Sequence, residues 1–403
     1  ELSLNFFRVV LNNIIYKLPW WWLIFGNLMS CQGQEKIPRT HQNPSVKVHW
    51  EITPKIEQYL FDKIPLMSYQ NLIIASVNGQ LIAYDITKGD QVWNFGNYTQ
   101  SSVYIKDISI HEHYIYFASY RKLTRNTFHT TIVKLNAKTG QVIWKRKLQP
   151  NDDFITGTKD LLLVKQGEQL ICLRPSDGQI KWKITQDIYR LGKVYLYDNA
   201  IYSLHYDYDP DKTNKKNRGT YLTKINYKNG KVLWQKKLGK QIISEFSMYE
   251  GHLYFFDIEH IYCYNSKGDL HWKIKNKNAY SLPHSFGQNY LYLLSHKEPY
   301  YPRAIEPLNG RIAWSSSKPD GKGHHILYKS PIIYKDYLVL EYRHVAGERF
   351  PNQGSRIFLL NAKDGRFIKE LQVPGTLSSP FLSYQGRLFY LDYKAKVYCI
   401  SFD

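Results

Sequence analysis

At six places in this chain a tryptophan follows a glycine by four residues. The pairs are Gly89 and Trp93, Gly140 and Trp144, Gly178 and Trp182, Gly230 and Trp234, Gly268 and Trp272, and Gly310 and Trp314. The clearest copy is Asn136-Ala-Lys-Thr-Gly140-Gln-Val-Ile-Trp144, entered from an apolar run at 132–135. An apolar run, a polar turn ending in Gly and a second run carrying Trp read as a β-hairpin. A seventh copy, Asn361-Ala-Lys-Asp-Gly365, has Lys369 where the Trp is expected. A repeat of this length restricts the chain to a solenoid or a propeller.

The two ends decide between them. Val46-Lys-Val-His-Trp50-Glu-Ile52 reads as a Trp strand with no partner before it. Segments 378–383, 388–391 and 397–400 read as three strands with no Trp strand after them. Joined, they make an eighth unit. Successive Trp positions, Lys369 included, lie 38 to 55 residues apart, room for four strands each. The expectation is an all-β, eight-bladed β-propeller of four-stranded antiparallel blades, closed by the N-terminal strand joining the C-terminal blade. It forms a single domain over residues 46–403. In the second blade, strands a to d run outward from the channel near 103–110, 114–118, 131–135 and 141–145. Alternation along strand d places Val142 and Trp144 on one face and Ile143 and Lys145 on the other. Insertions at 120–128, 206–218 and 343–355 join strands b and c and emerge on one face.

The tryptophans are read as wedges between neighbouring sheets. Burying ~150–250 Å² of indole at ~25 cal/mol per Å² gives an upper bound of roughly 4–6 kcal/mol each. Each indole N–H needs a buried acceptor, which a neighbouring turn carbonyl supplies. By this measure the interface after Lys369 is the weakest: Trp182→Ala costs several kcal/mol and Lys369→Ala little. Three of the four cysteines, Cys172, Cys263 and Cys399, share one repeat position, which Ala83 and Ala304 fill elsewhere. That marks a small buried site, with the thiols too far apart to form a disulfide.

Residues 1–31 differ from the rest. Arg8 and Lys17 precede an apolar stretch at 19–29, and Leu28-Met29-Ser30-Cys31 ends it. The stretch suits a signal-peptide core better than a bilayer span. The favoured reading is a lipoprotein signal with Cys31 as the lipidated residue; an uncleaved anchor and a coincidental apolar segment are the alternatives. Residues 32–45, polar with Pro38 and Pro44, read as a flexible tether.

Net charge is +20. Lys and Arg follow the Trp strands and fill the 212–218 segment, so they read as dispersed over the repeats, a solvated surface rather than a nucleic-acid motif.

The pattern of an apolar strand followed by Asp/Asn-x-x-x-Gly-x-x-x-Trp resembles the repeat of pyrroloquinoline-quinone-type eight-bladed propellers. Its best copies are Tyr84-Asp85-Ile-Thr-Lys-Gly89-Asp-Gln-Val-Trp93 and Leu135 to Trp144. The resemblance covers 46–403. One branch, the quinoprotein dehydrogenases, implies a quinone with Ca²⁺, often beside a vicinal Cys pair, which this chain lacks. The other is the outer-membrane assembly lipoprotein BamB and its relatives, similar in size, in the Leu-x-small-Cys ending and in blade number. That resemblance implies a non-catalytic scaffold that docks protein partners through loops on one face.

Other candidate sites are weak. His111-Glu-His113 places two imidazoles at i and i+2, a Zn²⁺ spacing without a third ligand. Gly323-His324-His325 offers no more. Asp207-Tyr-Asp209-Pro-Asp211 lacks the Gly and the distal Glu of a Ca²⁺ loop. Pro299-Tyr300-Tyr301-Pro302-Arg303 is an aromatic loop able to stack on a sugar. No catalytic residue, metal or cofactor is assigned. The expectation is a monomeric, lipid-anchored, non-enzymatic scaffold of the bacterial envelope at the outer membrane, binding protein and not nucleic acid. A quinone-dependent dehydrogenase and a glycan- or polyanion-binding propeller are the alternatives.

Overall fold

A computed structural model describes residues 46–402 apart from 55–65, 78, 97–102, 125–126, 150–151, 167–168, 185–190, 208–218, 240–245, 258, 276–283, 295–301, 317–324, 327–329 and 345–354. Cys31 and the 1–31 and 32–45 segments lie outside the described residues. So do Asp209, Asp211, segment 212–218, residues 299–301 and His324.

The described chain is all strand and turn, in eight antiparallel sheets taken in sequence order. Blades 1 to 7 occupy residues 66–95, 103–147, 153–184, 191–239, 247–275, 284–315 and 325–373. Blade 8 takes its inner three strands from 382–402 and its outermost strand from Val46–Ile52. Val46 pairs with Phe402 and Ile52 with Val397, so the two ends of the chain share one sheet. In blade 2, strands a to d are Val103–His111, Tyr114–Lys122, Phe128–Asn136 and Val142–Lys147. The eight-bladed, end-closed architecture read from the repeat is therefore the fold. Blade 7 departs from four uniform strands: His325–Ile326 and Ile332–Tyr334 both pair with Tyr337–His344, an innermost strand in two pieces.

Two kinds of turn build blades 1 to 7, and blade 8 has only the first. The a-to-b turns are two-residue hairpins; those at Asp198-Asn199, Glu250-Gly251, Gln288-Asn289 and Gln385-Gly386 have both central residues at positive φ. Turns of this hand match the right-handed twist of the strands. The c-to-d turns explain the repeat motif. Asp85 Oδ1 accepts the N–H groups of Thr87 and Lys88, and Asn136 Oδ1 those of Lys138 and Thr139. The glycine closes the turn by donating to the carbonyl of that Asp or Asn, as Gly140 does to Asn136 at 2.8 Å. Asx side chains stabilise a turn by mimicking a backbone acceptor, and glycine alone takes the final positive φ without strain.

One regular feature escaped the sequence reading. In every blade the pairing of strand c with strand d skips the residue just before the Trp position: Leu135 faces Val142 and Lys134 faces Trp144, leaving Ile143 over. The skipped residue is a β-bulge, so the expected simple alternation of Val142 to Lys145 is corrected. Val142 and Ile143 are both exposed, at 43% and 49%. A bulge twists an edge strand and spoils it as a template for another strand, protecting all eight rims.

The core lies between blades rather than within one. Buried clusters join blade 8 to 1, blade 1 to 2, and so on round the ring.

Candidate functional site

The repeat residues meet across blades. The Trp on strand d of one blade lies under the c-to-d turn of the next. A Cβ on Gly140, whose φ is +69°, would stand 2.7 Å from the Trp93 ring. Gly89 sits on Trp50 in the same way, Gly178 on Trp144, Gly230 on Trp182, Gly268 on Trp234, Gly310 on Trp272 and Gly365 on Trp314. The indole N–H then donates to the carbonyl one residue after the turn's first residue. Trp50 reaches Ile86 at 3.0 Å, Trp93 reaches Ala137 at 3.1 Å, Trp144 reaches Pro175 at 3.1 Å, and Trp182 reaches Tyr227 at 3.0 Å. Trp272 reaches Pro307 at 2.8 Å and Trp314 reaches Ala362 at 3.1 Å. At Trp234 the matching carbonyl, Ser266, accepts from Tyr202 and Lys224 instead.

Lys369 has a reason to be the exception. Blade 8 has no c-to-d turn, because its c and d strands are the two ends of the chain, so no turn glycine waits for a Trp there. That interface is filled by Tyr334, Leu371, Val373, Leu377, Tyr390, Tyr398 and Phe402. The Tyr334 hydroxyl donates to Gly386 O at 2.8 Å across it.

Cys172, Cys263 and Cys399 stand directly opposite Trp182, Trp272 and Trp50, and Ala83 and Ala304 opposite Trp93 and Trp314. All three thiols are buried and free. Burial pushes Cys172 and Cys263 up to about 12 and Cys399 up to about 11. A raised thiol pKa adds stability that is present below the unfolded value near 9 and lost as pH rises through the folded one, so these sites weaken the fold between about pH 9 and 11–12. Iodoacetamide at pH 8 is expected to modify none of the three in the folded protein and all three in denaturant, read peptide by peptide by mass spectrometry. In blades 2 and 4 the same position holds Lys134 and Lys224, which donate to Pro175 O at 3.0 Å and Ser266 O at 3.2 Å. Desolvation lowers the pKa of Lys134, whose ammonium lies 3.8 Å from the Tyr114 ring centre.

The thiols sit in three different blades, and among the described residues no three His, Cys, Asp or Glu side chains gather into a metal site. His111 and His113 do not share a strand face: His111 ends strand a, while His113 lies in the turn and its Nδ1 hydrogen-bonds to Tyr69 OH at 2.8 Å. On the innermost strands the Ser247 hydroxyl hydrogen-bonds to His284 Nε2 across blades 5 and 6.

Strands b and c are longest in blades 2, 4 and 7, at nine and nine, eight and eight, and eight and seven residues; those of blade 3 have five and five. The strands of blades 2, 4 and 7 lengthen toward the face away from the c-to-d turns. In blade 2 this extension carries Tyr120, which stacks on Tyr104 with ring centres 5.3 Å apart and donates to Asp153 Oδ1 at 3.1 Å. The 120–128, 206–218 and 343–355 insertions fall between strands b and c of these three blades. Their tips, 125–126, 208–218 and 345–354, lie outside the described residues.

The Lys and Arg that follow the Trp strands fall on one half of the rim. The rim strands of blades 2 to 5, Val142–Lys147, Ile180–Ile184, Val232–Gly239 and Leu270–Lys275, carry nine Lys and Arg and no acid. Those of blades 6, 7, 8 and 1 carry Lys369 and Lys47 balanced by Glu370 and Glu51.

A family model described as "Outer membrane protein assembly factor BamB" matches residues 129–216 and 218–402. Among solved structures, BamB from Moraxella catarrhalis superposes with a TM-score of 0.58 at 13% identity, covering 89% of this chain and 100% of that one. The quinohemoprotein alcohol dehydrogenase from Comamonas testosteroni gives a TM-score of 0.58 at 11% identity, covering 88% of this chain and 76% of that one. At these identities the likeness is one of fold. An uncharacterized protein of Rickettsia conorii is 25% identical over 129 residues, and the match spans 29% of the length of each chain.

Proposed function

Because the chain belongs to the family of the outer membrane protein assembly factor BamB, we propose that it is a non-catalytic scaffold that binds other proteins in the bacterial envelope. The observation that carries this reading is the contrast between the clasped ring and its loops. The repeated Trp, Gly and Cys pack between one blade and the next, and the Asx side chain shapes the turn that receives the Trp. Some polar side chains of the described inner and middle strands are likewise tied to one another by hydrogen bonds: Ser247 with His284, and His205 with Thr223 and Gln235. What varies from blade to blade is the projecting b-to-c hairpins and the charge of the rim. A rigid ring with variable projections suits docking rather than turnover.

In this reading Cys31 carries the lipid, residues 32–45 are the tether, and the propeller is held at the outer membrane as a monomer. The long hairpins of blades 2, 4 and 7 form the face that meets the partner. Crosslinking in the native envelope, followed by identification of the captured proteins, tests the role. Recovery of the β-barrel assembly machinery is expected; crosslinks confined to lipid, with no protein captured, overturn it. Globomycin treatment or Cys31→Ala is expected to release the chain from the membrane fraction, and unchanged membrane retention overturns the lipid anchor alone.

A further inference from the structure

We infer that the rim of blades 2 to 5 is a second binding surface, built for an acidic segment of a partner polypeptide. This rests on the scaffold reading for the choice of a protein as occupant, but it concerns a surface other than the hairpin face.

The surface is defined by asymmetry. Four consecutive rim strands carry Lys145, Arg146, Lys147, Lys181, Lys183, Lys236, Lys237, Lys273 and Lys275 with no carboxylate among them. The c strands just inside them, Phe128–Asn136, Gln169–Leu173, Gly219–Asn226 and His260–Tyr264, have none either. The other half of the rim is neutral. With strands of five to eight residues, the band stands roughly 20 Å tall at ~3.3 Å per residue and runs round half the ring.

Guarding against edge-to-edge aggregation is the usual use of lysine on an edge strand. It does not explain this arc. The bulge before the Trp position already protects all eight rims, and four of them do without excess charge. Most of the arc's cations are also spare. Arg146 is used on Gly178 O, and Lys236 on Gly268 O with Asp269 3.9 Å away. Lys145, Lys147, Lys183, Lys237, Lys273 and Lys275 are exposed. Several lie flat over aromatic rings, Lys273 at 5.0 Å from Tyr262 and Lys145 at 5.4 Å from Phe95, which holds their ammonium groups at fixed places on the rim. Cation–ring contact restrains the stem and leaves the charge open to an anion.

The character of the surface selects the occupant. Val142, Ile143, Ile180, Leu233 and Leu270 are 43–52% exposed between the lysines. Apolar groups interleaved with cations complement carboxylates interleaved with apolar side chains. A sulfate or phosphate polymer has nothing to place on them. A flat bilayer touches only a short part of a convex rim and leaves most of the arc unused. The bulges also exclude strand addition as the mode, so recognition runs through side chains.

The test compares two charge reversals in the full chain. In the arc variant Lys145, Lys147, Lys183, Lys237, Lys273 and Lys275 become Glu. In the control variant the turn lysines Lys88, Lys138, Lys228 and Lys267 become Glu. The probes are a fluorescent peptide of alternating Glu and Val, heparin, and phosphatidylglycerol vesicles, at low and at physiological salt. Near-UV circular dichroism confirms that both variants are folded. Reversing rim charges removes steering and attraction together, so peptide affinity is expected to fall ~10-fold or more in the arc variant and to change less than ~3-fold in the control. Equal losses in the two variants, or heparin or vesicles bound through the arc with the peptide ignored, overturn the inference. The same pair read by envelope crosslinking separates the two claims. Partners captured by wild type and equally by the arc variant overturn the arc and leave the scaffold standing. No protein captured by wild type overturns the scaffold itself.

Discussion

Trp93→Ala is expected to lower the unfolding free energy by ~3–5 kcal/mol, the range for a large aromatic removed from a packed site. Trp93 is 7% exposed and packs with Phe95, Phe117, Val133 and Leu135 between blades 1 and 2. Its loss opens a cavity under Gly140 and leaves the Ala137 carbonyl without the indole N–H that now reaches it. Trp182, less deeply buried, is expected to cost less but still several times more than Lys369→Ala, which removes a half-exposed side chain from the one interface that has no turn to clasp. Denaturant midpoints of the three variants, at unchanged slope, decide the matter. Equal midpoints for Trp93→Ala and Lys369→Ala overturn the role of the tryptophans as wedges between blades.

Deleting the strand Val46–Ile52 is expected to have a larger effect still, a loss of more than ~5 kcal/mol, comparable to the whole stability of many domains. Three things go at once. Blade 8 loses its outer strand, the blade 8 to blade 1 interface loses Trp50 with its bond to Ile86 O, and Val397–Phe402, buried at all six residues, becomes a bare apolar edge. Such an edge pairs with other molecules, so the shortened chain should aggregate or unfold without a sharp transition. The comparison is a chain beginning at Val46 against one beginning at Thr53, followed by light scattering and chemical denaturation. Grafting the seven residues after the C-terminus should restore folding, because Val46 already lies beside Phe402. An unchanged midpoint for the chain beginning at Thr53 overturns the role of the closure.

The architecture was legible because it is written in long-range periodicity. The Trp spacing, the unpartnered Trp50 strand and the three orphan strands at the C-terminus fix blade number and closure without any tertiary information. Local alternation was a poorer guide. Ile143, Leu233 and Ile368 look like ordinary strand residues, and only the pairing shows each as a bulge. The partner of each Trp was hidden for a related reason. Gly89 is four residues from Trp93 in sequence, yet Trp93 packs on Gly140, and the distance that matters is set by the ring. Lys134 and Lys224 also escaped notice as members of the Cys and Ala position, since a lysine does not read as a small buried residue. Its stem packs at this position while its ammonium reaches the next blade's carbonyl, beside the Trp144 N–H at Pro175 and without the Trp234 N–H at Ser266. The rim arc was readable in principle from the four strands that follow the tryptophans. What the sequence alone does not show is that these four strands stand side by side round one half of the circle.

The contact between blades has a direction. Each hairpin offers a plug, its tryptophan, to the following hairpin and a socket, its turn glycine and carbonyl, to the preceding one. A unit carrying both halves can be copied in tandem without leaving either half unmatched. Blade number in such a chain is therefore limited by the angle each wedge subtends and by how the ends meet, not by the pairing chemistry. The single position released from that rule is Lys369, where the ring is joined by its termini and a substitution is free to serve another purpose.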